Sequence, residues 1–154
     1  MYGAGPDKIG KIVGAGKEQG KMLIKRFLSN LPALRRLREQ VENAGRRGKI
    51  KAIDGRYLKV RNAHSALNTL LQGAGAIICK HWLLRITHRV YNKKLDVKLV
   101  ASVHDEYQFE VANKDVGEFC SITKIAIKET ENLLKLRCPL DNDYKVGVTW
   151  AETH

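Results

Sequence analysis

The chain has 154 residues, enough for one domain with a real core or for a piece of a larger one. An apolar fraction of 44% excludes general disorder, while a formal net charge of +12 calls for an anionic partner, nucleic acid first and an anionic membrane surface second. No signal peptide is legible, no apolar run approaches the roughly 18 residues of a membrane span, and Cys79, Cys120 and Cys138 match neither a disulfide framework nor a zinc spacing, so a soluble intracellular protein with reduced thiols is expected.

The opening "MYGAGPDKIGKIVGAG" is rich in glycine, yet no strand precedes it and no Lys-Ser/Thr pair follows. That excludes a P-loop or a dinucleotide-binding loop. Pro6 and Asp7 instead predict a short helix that Gly14 and Gly16 close. From Lys17 to about Asn30, Met22, Leu23, Phe27 and Leu28 recur at helical spacing. Pro32 suits the first turn of another helix, carrying Leu34, Leu37 and Val41 and ending near Gly45. The outward faces of these helices are mostly Lys and Arg.

A hairpin is predicted next, with strands around Ile50–Ile53 and Tyr57–Val60 flanking Asp54-Gly55, a dipeptide tolerant of positive φ. Arg56 and Lys59 leave it basic. Leu67, Leu70, Leu71, Ala74, Ile78 and Trp82 then mark a long amphipathic helix over roughly Ala63 to Asn92. "LVASVHDEYQFEV", Leu99 to Val111, reads as strand, sharp break and strand. A helix near Asp115–Lys135 follows, with Val116, Phe119, Cys120, Ile127 and Leu134 on its core face, and a last strand is predicted at about Tyr144–Trp150. The order argues an α+β fold with a mainly antiparallel sheet packed on long helices.

Two constellations carry chemistry. His64, Asn68 and Gln72 lie four apart; at about 100° per residue each step drifts only about 40°, so the three fan along one side, which also holds Gly75. Alone, this is an ordinary polar helix edge. Beside a basic surface it is also a row of amide donors suited to purine N3 and pyrimidine O2, which every base pair shows in the minor groove. The tip "HDE" is by itself a solvated turn. Asp105 and Glu106 beside basic surface also invite a divalent cation, since Mg²⁺ takes carboxylate and phosphate oxygens together.

At these residues the chain resembles the family A, DNA polymerase I type, enzymes, and most of all the replicative polymerases of short-tailed bacteriophages. "VHDE" after an apolar strand resembles motif C, the tip of the palm hairpin. "HSALNTLLQGAGAIICKHW" resembles the palm helix, "DGR" the hairpin entering it, "YGAG" the tail of motif B, and "KVGVTWAETH" the family's C-terminus. The resemblance implies an antiparallel palm sheet on long helices, preceded by the helical end of the fingers. It divides the chain into residues 1–60, the end of the fingers with its connecting hairpin, and residues 61–154, the C-terminal portion of the palm. It makes Asp105 a catalytic metal ligand and Glu106 an auxiliary carboxylate near two Mg²⁺ ions. It sets His104 against the backbone at the primer end, Asn68 and Gln72 along the primer–template minor groove, and His64 near the same duplex. Tyr2 would pack by the templating base, with Gly3 leaving room beside it.

The motif A aspartate and the motif B arginine, lysine and aromatic precede "YGAG" in the family and have no counterpart here. Asp54, Asp96, Asp141 and Asp143 do not resemble motif A. The expectation is therefore the C-terminal piece of a split, interrupted or truncated polymerase, acting on primer–template DNA and deoxynucleoside triphosphates only with an N-terminal partner half. If phage-encoded, it would work in the host cytoplasm. Two other readings stay open: an inactive remnant that binds DNA through its charge, and a small nuclease using Asp105 and Glu106, which needs metal ligands the sequence does not offer.

Overall fold

The computed structural model describes residues 4–153. Contacts divide the chain between Ala74 and Gly75 into two compact units, described in turn.

In the first unit, helix α1 (Pro6–Ile12) begins with Pro at its first turn, where a missing N–H costs nothing, and helix α2 (Lys17–Asn30) follows. The buried positions of this pair are glycines, Gly10 and Gly20. A Cβ on Gly20 would stand 2.0 Å from the Pro6 carbonyl oxygen, and one on Gly10 would stand 2.5 Å from that of Gly16. The helices thus touch backbone to backbone, while Met22, Leu23 and Phe27 of the predicted apolar stripe are exposed. Helix α3 (Pro32–Gly45) is laced by Arg35–Glu39 at 2.9 Å and Arg38–Glu42 at 2.8 Å.

Strands β1 (Lys49–Lys51) and β2 (Tyr57–Lys59) form an antiparallel pair, with Lys49 opposite Lys59 and Ile50 opposite Leu58. The predicted Asp54-Gly55 turn is present, Gly55 taking φ 90, but Ile53 and Val60 fall outside the strands. Val41, Ile50, Val60 and Ala66 form the core of this unit, with Leu58 and Leu70 against it.

The long helix is α4 (Ala66–Lys93), introduced by a 3₁₀ turn at Ala63–Ser65 whose His64 N–H is capped by Asn62 Oδ1 at 2.9 Å. The second unit begins within it. Strands β3 (Val97–Val103) and β4 (Glu106–Val111) pair antiparallel, and helix α5 (Val116–Leu134) packs its Phe119, Ile122 and Ala126 with Ile86 of α4. Phe109, Val111 and Val97 close this core from the sheet.

The expected strand at Tyr144–Trp150 does not form. The segment runs without regular structure into a 3₁₀ turn at Trp150–Glu152. A strand needs a ladder partner, and among the described residues β3 and β4 pair only with each other; the Val148 N–H donates instead to Glu152 Oε2 at 2.5 Å. Among the described residues no helix is long and apolar enough to cross a membrane.

Helices α4 and α5 are joined by a charge fork. Arg89 donates through Nη2 to Glu129 Oε1 and through Nε to Oε2 at 3.3 Å, and Arg85 Nη1 stands 3.7 Å from Oε2. The hydrogen bonds from Arg89 first, then the charges of Arg89 and Arg85, hold the Glu129 carboxyl below its ordinary range. Its stabilisation is thus fully present above the unfolded carboxyl pKa and is lost as pH falls through the lower folded value. Glu129→Gln is expected to cost about 1 kcal/mol at pH 7, since the fork is partly exposed. Urea titrations followed by tryptophan fluorescence, Trp82 and Trp150 both lying in this unit, should show the difference at pH 7 and its progressive loss on acidification below the unfolded carboxyl range.

Candidate functional site

The hairpin tip is tighter than a solvated loop. Val103 pairs with Glu106, so His104-Asp105 alone makes the turn and Glu106 is already the first residue of β4. His104 takes φ 54, a left-handed conformation uncommon outside glycine but tolerated by His, Asn and Asp. Held strain of this kind costs on the order of 1–3 kcal/mol and persists only where the surroundings impose it.

Two features brace the hairpin that carries it. Leu99 pairs with Phe109 but Ala101 with Gln108, so Val100 is an extra residue, a β-bulge. The bulge resets the alternation: Ser102 stands opposite Tyr107 on one face, while Ala101 and Val103 turn to the other with Gln108 and Glu106. Beneath the tip, Trp82, Tyr107, Phe109 and Phe119 form a chain of tilted and edge-on rings, with centroids 5.5, 6.4 and 4.8 Å apart in that order. Trp82 fixes its end by donating Nε1–H to the Thr123 carbonyl at 3.0 Å.

The carboxylates therefore stand on a braced platform. Asp105 and Glu106 are both exposed, and Glu106 Oε1 accepts from Gln108 Nε2 at 3.0 Å. Half-buried Cys79, on α4, is held above the ordinary thiol range by burial first and by the Asp105 charge second. Both effects favour its neutral thiol form. Burial, and then Cys79, also raise the Tyr107 hydroxyl, against a hydrogen bond with Ser102. Among the described residues no group of three or more His, Cys, Asp or Glu is placed to hold a metal ion.

In the first unit, the structure separates the expected row of three. His64 lies in the 3₁₀ turn and not in the α-helix, whereas Asn68 and Gln72 lie within α4. His64 and Gln72 are exposed; Asn68 is half-buried, and its Oδ1 is buried without a hydrogen-bond partner. Such an atom carries a desolvation cost until something donates to it. The glycine that permits close approach is Gly73, where a Cβ would meet Leu58 Cδ1 at 2.4 Å; Gly75 has nothing within 4 Å. Tyr2 and Gly3 lie outside the described residues. Sequence reasoning missed Val100, Cys79 and Tyr107 as supports of the tip. A bulge is silent in composition, and the other two meet the hairpin only through pairing and packing: Tyr107 opposite Ser102, and Cys79 within reach of the Asp105 charge.

The family pattern described as "DNA polymerase family A" matches residues 1–152. The DNA-directed DNA polymerase of Escherichia phage T7 is 40% identical over 176 residues, which take in all of this chain and 25% of the relative. That of Escherichia phage Phieco32 is 34% identical over 160 residues, 99% of this chain and 26% of the relative. The chain thus spans about a quarter of the length of these relatives. A solved structure described as "POL domain of Pol1 from M. smegmatis complex with DNA primer-template and dNTP" superimposes with a TM-score of 0.74 at 22% identity, over 84% of this chain and 25% of that one.

Proposed function

The chain belongs to DNA polymerase family A, and from that premise we propose that it is the part of a DNA-directed DNA polymerase bearing motif C, one carboxylate set of a two-metal nucleotidyl-transfer site. The observation that carries this reading is the strained two-residue tip, which presents Asp105 and Glu106 from a bulged and aromatically braced hairpin. Asp105 is the catalytic metal ligand and Glu106 the auxiliary carboxylate. His104 meets the backbone at the primer end.

Asn68 and Gln72 follow the primer–template minor groove, with His64 near the same duplex. Tyr2 packs by the templating base and Gly3 leaves it room. Residues 1–60 are the end of the fingers with its hairpin, and residues 61–154 the C-terminal portion of the palm. The compact units divide later, inside α4, because Ile50 and Val60 of the hairpin region share a core with Ala66 at the helix start.

The donor set fits Mg²⁺: two exposed carboxylates supply hard oxygen ligands for an ion that completes its shell with water and substrate phosphates. When bound, two such ions activate the attacking oxygen and stabilise the leaving one in an in-line displacement. The chemistry needs a second carboxylate, assigned here to polymerase residues outside these 154, on the same polypeptide or on a partner half. Deoxynucleoside triphosphates are the co-substrates. A phage origin, which the likeness to phage enzymes supports, would set the reaction in the host cytoplasm.

Replacing the matched quarter of the phage T7 relative with this chain should give a chimera that extends a primed template with Mg²⁺. A folded chimera that binds primer–template and extends nothing would leave a DNA-binding remnant as the correct reading.

A further inference from the structure

The net charge is not spread over the molecule. Residues 1–74 carry sixteen Lys and Arg against five Asp and Glu, whereas residues 75–154 carry twelve against eleven. Within the basic half, the helices neutralise much of their charge: Lys17 pairs with Asp7, Lys21 with Glu18, Arg35 with Glu39 and Arg38 with Glu42. The hairpin does not. Between Arg46 and Arg61 lie seven basic residues and one acid, Asp54, which is taken up by Arg56 at 2.6 Å. Among the described residues, Arg46, Arg47, Lys49, Lys51, Lys59 and Arg61 have no ion-pair partner.

The register sharpens the point. Ile50 and Leu58 face the core, so Lys49, Lys51, Tyr57 and Lys59 share the outer face, all exposed. Lys49 stands directly across from Lys59, and like charges at opposed positions destabilise a strand pair. The second hairpin does the reverse, setting Lys98 opposite Glu110 with Nζ and Oε1 3.4 Å apart. Lys49 Nζ also lies 4.9 Å from the Tyr57 ring centroid, so one face of that ring already holds a cation and is closed to a stacking base.

We infer that the outer face of β1–β2 is a phosphate-backbone contact, with Lys49, Lys51 and Lys59 meeting DNA separately from the His64, Asn68 and Gln72 region. The identity of the polyanion rests on the polymerase reading; the need for a polyanion rests on the charge pattern alone. Each phosphate neutralised contributes about 0.9 to the slope of log K against log salt on duplex DNA.

The test measures binding of the full chain to a mixed-sequence duplex by fluorescence anisotropy across a salt series, without metal or nucleotide. Lys49→Gln, Lys51→Gln and Lys59→Gln together should lower the slope by about 2 to 3. The same change at Lys94, Lys114 and Lys135 should lower it far less. Lys59→Glu alone should raise the thermal midpoint, by replacing a like-charge pair with an opposite one, while weakening DNA binding. An unchanged slope, an equal loss in the control triple, or displacement by polyglutamate as effective as by DNA of equal charge would overturn the inference. Extension by the T7 chimera tests the polymerase reading independently, so the two can fail apart.

Discussion

Asp105→Asn in the T7 chimera is expected to lower single-turnover primer extension by about a thousandfold or more while leaving primer–template affinity within about threefold. Metal-ion stabilisation of a phosphoryl transition state is worth several kcal/mol, and every 1.36 kcal/mol is a factor of ten. Asn keeps the shape of Asp and its tolerance of turn conformations, so the tip still closes, but it removes the charge that a hard cation requires. Affinity survives because binding is dominated by phosphate contacts, which Asp105 does not make.

Glu106→Gln should cost only about tenfold, on the scale of 1.36 kcal/mol. Glu106 sits in the ladder opposite Val103, and the neighbouring Gln108 still has an amide oxygen to pair with. The contrast identifies which carboxylate ligates: equal losses at the two positions would mean a shared role, and extension within tenfold of wild type in Asp105→Asn would remove Asp105 from the metal site.

The parts of this site that were readable in the sequence are those written in local chemistry. Apolar alternation interrupted by His104-Asp105 predicts a hairpin break, and Pro6, Pro32 and Asp54-Gly55 mark starts and turns that the structure keeps. What was not readable depends on pairing between distant residues. The bulge at Val100 exists only relative to Phe109 and Gln108, so no inspection of β3 alone reveals that Ser102 pairs with Tyr107. Gly73 and Gly75 look alike in the α4 pattern; only the position of Leu58 makes one a close contact and leaves the other in open space. Tyr144, Val146, Val148 and Trp150 alternate as a strand should, yet alternation describes one partner of a ladder and cannot supply the second. Net charge was visible at once, but its concentration in an unpaired hairpin face required the register of Lys49 against Lys59.

Gly20→Ala should destabilise the first unit by about 2–3 kcal/mol, although helix propensity alone favours Ala over Gly by about 1 kcal/mol. The sign is set by packing. The added Cβ would lie 2.0 Å from the Pro6 carbonyl oxygen and 2.9 Å from the Gly10 nitrogen, and neither is a side chain that can rotate away. α1 must therefore separate from α2, opening a contact that buries their backbones. Gly75→Ala provides the internal comparison: the same substitution in a helix interior with nothing within 4 Å should stabilise by about 1 kcal/mol. Urea unfolding followed by circular dichroism gives the two signs, and hydrogen exchange locates them. In Gly20→Ala the amides of α1 and α2 should lose protection while those of α5 keep theirs. If both variants were stabilising, the backbone contact between α1 and α2 would not exist in solution, and the short helix that follows Tyr2 and Gly3 would lack its anchor.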